Sequence, residues 1–317
     1  MKTITVKATM NDHKPKIILI CGPTAIGKTA AAIGVAERLG GEIVGADSLQ
    51  IYKYMDIGTA KPTPQERQRI PHHMIDIVTP DAPYDAARFS REGREAIGAI
   101  FQRGRIPVIA GGTGFYIKAL VYGLFESAPS DPSIRRRLSE EAVRSGGERL
   151  FSRLKACDPE AAGAIHPNDT YRIMRALEVY EASGMTMTAF RRRHKFADAP
   201  YNVLKIGLFM DRQALYERIE GRVDAMIGQG LLGEVSGLLD AGYHEFLRPM
   251  QALGYRQMAD FIKGRTDWES AVATLKRDTR HYAKRQLTWF RKDTEIQWFE
   301  PDHLAGIISH ARVFLDA

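Results

Sequence analysis

KIILICGPTAIGKTAAAIGVAERL, residues 16–39, decides the fold. Its first six residues, Lys16–Cys21, are a short apolar, β-branched run that reads as a buried strand. Gly22-Pro23-Thr24-Ala25-Ile26-Gly27-Lys28-Thr29 then fits the spacing G-x-x-x-x-G-K-[ST]. From Lys28 to Leu39 the chain is Ala-rich and helical, and Gly40-Gly41 closes it. A strand leading in and a helix leading out is the setting in which this spacing cradles phosphate. The glycines let backbone N–H groups close around phosphate oxygens. The helix N-terminus adds positive potential. Lys28 supplies a point charge, and the Thr29 hydroxyl is placed to ligate Mg²⁺. The motif asks for a diphosphate or triphosphate and does not say whose. The bland alternative is a tight turn that opens a helix.

Working outward, residues 42–46 (EIVGA), 74–78 and 106–110 (IPVIA) are further strand candidates, with a helix over 85–103 before the last. Apolar strands alternating with helices argue for a parallel sheet covered on both faces. The expected fold class is α/β: a P-loop NTPase-like parallel sheet flanked by helices, with a helical insertion domain. Residues 121–199 are helical and polar, broken at Pro129, Pro132, Gly146-Gly147, Pro159 and Pro167. Residues 203–210 (VLKIGLFM) restore a strand, and the chain is mostly helical from 211 to 292. The domains expected are therefore a frayed extension over 1–15, a core over 16–120 and 200–317, and the insertion between.

The 317 residues suffice for a core without disulfides, and the apolar share of 44% excludes wholesale disorder. No run approaches the roughly 18 apolar residues of a membrane-spanning helix. No signal peptide is legible at the N-terminus. Cys21 and Cys157 cannot build a disulfide framework or a four-ligand zinc cluster, so a cytoplasmic protein is expected. Cys21, on the strand before the cradle, reads as a small core residue. The net charge of +7 favours polyanionic partners, against the plainer reading of a basic enzyme of small anions. Most of that excess lies in residues 256–292, where ten basic side chains face four acidic ones. On a helix over 272–290, Arg277, Arg280, Lys284 and Arg291 fall within about 60° of one another. Val272, Leu275, Tyr282 and Trp289 fall on another arc, expected to pack on the core. The cationic face suits a nucleic-acid backbone or is solvated surface.

Asp47 follows an apolar strand and should stand at the carboxyl edge of the sheet, where open α/β folds bind ligands. It would hold Mg²⁺ through water, act as a general base, or cap a turn. The Gly111-Gly112-Thr113-Gly114 turn should face the same edge and by itself reads as structural. His72-His73 has no third ligand at metal spacing and reads as hydrogen-bonding or structural. Ile173, Leu177 and Tyr180 form one apolar stripe in the insertion, so Arg172 and Arg175 point elsewhere. Arg191-Arg192-Arg193, running into His194-Lys195, reads as a solvated loop.

With these residues in view, the chain resembles the tRNA dimethylallyltransferases of bacterial type. The resemblance runs from about Lys16 to Trp298. It rests on GPTAIGKT, DSLQIY, DIGTAKPT (56–63), PHHMID (71–76), GGTGFYIKAL (111–120), NDTYRIMRALEVY (168–180), RIEGRVDAMIGQGLLGEV (218–235), QALGYR (251–256) and YAKRQLTWFR (282–291). It implies transfer of a dimethylallyl group from dimethylallyl diphosphate to N6 of the adenine on the 3′ side of the tRNA anticodon. Gly22, Pro23, Thr24, Ala25, Ile26, Gly27, Lys28 and Thr29 would hold the diphosphate, with Thr29 near Mg²⁺. Asp47 would accept the N6 proton. Thr24 and one of Arg218 and Arg222 would serve the departing diphosphate, and the resemblance does not choose between the arginines. The tRNA anticodon stem-loop would meet Asp47-Ser48-Leu49-Gln50, Thr113, Arg135 and Tyr171-Arg172-Ile173-Met174-Arg175. It would also meet Gln251-Ala252-Leu253-Gly254-Tyr255-Arg256 and Lys284-Arg285-Gln286-Leu287-Thr288-Trp289-Phe290-Arg291. The insertion would grip the anticodon stem, and a monomer is expected.

Two departures stand out. Ile26 replaces the usual cradle serine, which removes a hydroxyl and leaves the backbone donors. The eukaryotic members often carry a C-terminal zinc finger; no Cys/His cluster of that kind occurs here, hence the bacterial type. The rival readings are a P-loop kinase of a small metabolite or nucleotide, an isopentenyltransferase acting on free AMP, and an RNA-binding protein without catalysis.

Overall fold

β1 (Lys16–Cys21) buries five of its six residues, and Ile17, Ile18 and Ile20 are wholly out of water. Each such side chain contributes roughly 1.5–3 kcal/mol. The computed structural model describes residues 14–124, 131–194 and 198–317. Most of the extension expected over 1–15 lies outside them, as do Pro129 and Lys195. α1 (Lys28–Leu39) buries Ala31, Ala32, Ile33, Val35 and Ala36 and ends at Gly40 in the left-handed region, whose N–H returns to Ala36. β2 (Gly41–Gly45), α2 (Pro64–Arg69), β3 (His72–His73), α3 (Ala86–Gln102), β4 (Ile106–Gly111) and α4 (Gly114–Tyr122) complete the first part of the core.

The chain divides into two units, residues 1–121 with 200–317 and residues 122–199. The second unit holds α5 (Pro132–Ser145), α6 (Gly147–Cys157), α7 (Pro159–Ala164), α8 (Thr170–Ser183) and α9 (Met187–His194). Asp131, Asp158 and Asp169 cap the starts of α5, α7 and α8. Leu138, Leu150, Leu154, Ile173 and Leu177 form its own core. Arg191–Arg193 belong to α9, which corrects the expected loop.

The first unit resumes with β5 (Asn202–Leu208), α10 (Arg212–Gly228), α11 (Leu231–Asp240), a 3₁₀ turn (Pro249–Gln251), α12 (Tyr255–Ile262), α13 (Trp268–Phe290), β6 (Gln297–Phe299) and α14 (Leu304–Asp316). The sheet order is β3-β2-β4-β1-β5-β6, with every pair parallel. Among the described residues no helix is long and apolar enough to cross a membrane.

Two strands differ from the sequence reading. The strand expected over 74–78 is instead His72–His73. Met74 and Asp76 take positive φ, which ends the extended run, and Lys61 and Arg67 hold Asp76 by ion pairs. Val78 makes only an isolated bridge to Tyr52. The histidines are hydrogen-bonded: His72 Nδ1 lies 2.7 Å from the Ile70 carbonyl and His73 Nε2 2.7 Å from Glu42. β6 had no apolar run long enough to read. It pairs with β5, whose buried Lys205 binds Asp293 and Glu295 just before it.

Candidate active site

β2, β4 and β1 are consecutive in the sheet, so the segments after them meet at one carboxyl edge. The cradle follows β1, Asp47 follows β2, and the glycine turn follows β4. The cradle turns through Ala25 and Gly27, both at positive φ, into α1, whose N-terminus has no side-chain cap. Lys28 Nζ donates to the Pro23 carbonyl at 2.7 Å. Ile26 packs in the core and is fully buried. Its side chain therefore points into the core and offers the cradle no hydroxyl, which leaves that part of the loop to its backbone donors.

Asp47 Oδ1 accepts from the Leu49 N–H at 2.9 Å, with Gln50 N–H more distant at 3.4 Å. The carboxylate thus caps its own turn and also lines a cavity of about 560 Å³. Ser48 N–H donates to Thr113 Oγ1 at 3.1 Å, which ties the Asp47 segment to the turn after β4. Gly111 is required there, because a Cβ would stand 2.1 Å from the Ala46 carbonyl oxygen.

Thr24, Ala25, Asp47 and Ser48 line the cavity from the sheet edge. Arg222 lines it from α10 and Tyr282, Asp278 and Arg285 from α13. Ile219, Val223, Met226 and Leu275 give it an apolar side, and Gln251–Gly254 and Gly58-Thr59 also line it. Burial, with help from the Arg222 guanidinium, pushes the Lys28 ammonium down to about 8, and Asp47 acts the other way. Burial also lowers Arg222, again opposed by Asp47. Beside the cradle Asp47 is therefore set against two desolvated cations, Lys28 and Arg222, while Asp278 and Arg285 line the α13 side of the cavity. Burial raises the Tyr282 phenol, and the Asp47 charge adds to the shift. Cys21 is buried and pushed up to about 12 by that burial, as suits a core thiol.

The structure separates the two arginines that the sequence left unresolved. Arg222 lines the cavity. Arg218, one turn earlier, is exposed outside it, with a guanidinium nitrogen 3.7 Å from where a Cβ on Gly27 would stand.

The expected RNA-contacting runs are only partly surface. The side chains of Ile173, Tyr255, Gln286 and Phe290 are buried and have no face to offer RNA. The Tyr255 hydroxyl donates to Glu234 at 2.6 Å. That carboxylate also accepts from the N–H groups of Asp56, Ile57 and Gly58, holding the segment beside the cavity. Arg175 turns to the buried Glu178. Arg135 lies over the ring of Tyr171, which is 51% exposed, with 5.2 Å to the centroid. On α13 the buried residues are Ala271, Leu275, Ala283, Gln286 and Phe290. Trp289, expected in the core, is 42% exposed. Its ring lies against Gly114, where a Cβ would stand 2.1 Å from Nε1. The cationic stripe is also less bare than its own helix suggested, because α10 supplies acids. Arg280 pairs with Glu220, and Lys276 with Asp224. Lys284 and Arg285 are exposed and have no acidic partner among the described residues. The apolar wall and the Glu234 contacts were missed, since each reads in sequence as ordinary helix core or surface.

A family model described as IPP transferase matches residues 50–293, and one described as isopentenyl transferase matches residues 15–76. The tRNA dimethylallyltransferase 2 of Syntrophus aciditrophicus is 53% identical over 303 residues, spanning 96% of this chain and 97% of that protein. The crystal structure of the full-length tRNA isopentenylpyrophosphate transferase from Bacillus halodurans is similar at a TM-score of 0.72 and 39% identity, over 96% of this chain and 97% of that one. A eukaryotic dimethylallyltransferase acting on tRNA is similar at a TM-score of 0.77 and 28% identity, over 90% of this chain and 74% of its own. With matches of this length and identity, the chain belongs to the tRNA dimethylallyltransferase family.

Proposed function

We propose that the protein transfers the dimethylallyl group of dimethylallyl diphosphate to N6 of the adenine 3′-adjacent to the tRNA anticodon. The observation that carries this reading is one cavity lined by the cradle residues Thr24 and Ala25, Arg222, Asp47 and an apolar wall. Residues 22–29, Lys28 among them, hold the diphosphate, and Arg222 offers its guanidinium to the oxygens that gain charge as it leaves. Ile219, Val223, Met226 and Leu275 suit the five-carbon group, from which they exclude water. The N6 amine forms a bond to the allylic carbon as the bond from that carbon to the diphosphate oxygen breaks. The bonding pair leaves with the diphosphate, and Asp47 takes the N6 proton.

Mg²⁺ fits the residues present. It keeps water and substrate phosphate oxygens among its ligands, and needs only one or two from protein. The Thr29 hydroxyl at the start of α1 would supply one, and Asp47 a second through water. When bound, the ion neutralises charge on the diphosphate. The target adenine must leave its loop to enter the cavity. Lys284 and Arg285 on α13 suit the RNA backbone, and Tyr171 under Arg135 suits an unstacked base.

The test is incubation with Mg²⁺, dimethylallyl diphosphate and unmodified tRNA that reads codons beginning with U, with free AMP as a parallel acceptor. Mass spectrometry of the digested tRNA should find N6-dimethylallyl-adenosine. Product on AMP alone would replace the polymeric acceptor with a free nucleotide. No product on either, from folded protein, would return the cradle to a kinase reading.

A further inference from the structure

Gln286 lies in a run whose neighbours Lys284, Arg285 and Thr288 are exposed, yet it is itself only 6% exposed. Its Oε1 accepts from the backbone N–H of Thr24 at 2.8 Å. Its Nε2 donates to the Gly112 carbonyl at 2.9 Å. One amide on α13 therefore spans the phosphate cradle and the turn after β4. A planar amide suits the task, since it carries an acceptor and a donor side by side. The fit at Gly112 is close: a Cβ there would stand 2.3 Å from Gln286 Nε2. Thr24 and Asp47 line the same cavity. Thr113, next to Gly112 in that turn, accepts from the Ser48 N–H beside Asp47, so the bridge through Gln286 ties the cradle to the Asp47 segment.

We propose that Gln286 is a positioning residue for the transfer, acting through Thr24. It holds the cradle at one separation from Asp47, so that the leaving diphosphate and the accepting carboxylate are in register when the adenine arrives. Its role is directed inward to the diphosphate, unlike that of the exposed residues beside it. The inference rests on the reading of residues 22–29 as the diphosphate site.

Gln286→Ala and Gln286→Met are compared with the natural chain. Methionine keeps the length of the side chain and removes both polar atoms, so it serves if the alanine chain does not fold. Three quantities are measured: Tm, the Kd of inorganic diphosphate with Mg²⁺ by calorimetry, and the steady-state KM and kcat for each substrate. The Kd of diphosphate and the KM of dimethylallyl diphosphate should rise about five- to tenfold, the size of one lost hydrogen bond. kcat should fall, and the KM for tRNA should hold. Gly112→Ala, which forces the amide aside, should reproduce this pattern. A raised KM for tRNA with diphosphate binding intact would overturn the inference and make Gln286 an RNA contact. A fall in Tm alone, with every Kd and KM at its natural value, would overturn it as well. Failure of the natural chain to bind inorganic diphosphate would sink the phosphate reading itself, and the inference with it.

Discussion

Lys28 is subject to two opposing influences. Burial and Arg222 favour its neutral form and bring it down to about 8, while Asp47 favours the ammonium. A bound diphosphate also favours the ammonium, so binding takes up a proton above about pH 8. Affinity should then fall as pH rises through that value, by at most about tenfold per pH unit. The stability of the free protein moves the other way. The unfolded chain keeps the proton to higher pH, so stability rises from about pH 8 upward as the buried charge is lost. Calorimetric titration with inorganic diphosphate across this range checks the first sign. Lys28→Met should bind more weakly and lack the inflection; an identical inflection in that variant would place it elsewhere. Asp47 needs a different substitution, because it both caps a turn and faces the cavity. Asp47→Asn keeps an acceptor for the Leu49 N–H and removes the base. Its kcat should fall about 10²- to 10⁴-fold, the usual contribution of a general base, with diphosphate affinity retained. A kcat within about tenfold of the natural chain, below that range, would remove the proton from its account. At this scale the strand, turn and helix of the proposed cradle were legible because consecutive residues encode them. Gln286 was not, because its partners are 262 and 174 residues away in sequence.

Among the elements, α13 is where local reading went furthest astray. A hydrophobic arc predicted Trp289 inside, but the helix buries Ala283 and Gln286, which carry little apolar signal. The buried face is chosen by what the helix must cover, and it covers the glycine turn and the cradle. Its cationic stripe is divided in the same way. Acids on α10, distant in sequence, neutralise Arg280 and Lys276. Lys284 and Arg285 are thus the charges to test. Lys284→Gln with Arg285→Gln should weaken tRNA binding and reduce the slope of log K against log salt by roughly 0.7–0.9 per charge removed. Binding measured at several salt concentrations gives the slope directly. An unchanged slope would leave this face as solvated surface. β1 and α1 were legible to the residue, since both their burial and their termini are coded in their own sequence. β3 was not, because its end is set by positive φ at Met74 and Asp76 and by ion pairs from Lys61 and Arg67.

For the whole molecule, residues 121–199 were expected as a helical insertion, and residues 122–199 form a compact unit of their own. The composition of that stretch, polar and broken by proline, carried the signal without any contact being known. The partition has a functional consequence. Every residue that lines the cavity belongs to the unit of residues 1–121 and 200–317. The second unit has its own core of leucine and isoleucine and its own helix caps. Diphosphate binding and RNA gripping should therefore be separable. Replacing residues 123–199 with a short Gly/Ser linker should leave the Kd of inorganic diphosphate within about twofold, as expected for independent sites. The same chain should lose transfer to tRNA. A folded linker variant that no longer binds diphosphate would show that the cradle depends on the second unit. One that still modifies tRNA at the natural rate would show that the exposed cations of α13 suffice to hold the anticodon loop. The outcome expected, binding without transfer, would assign the small-molecule chemistry to the sheet edge and the choice of a polymeric acceptor to the inserted helices.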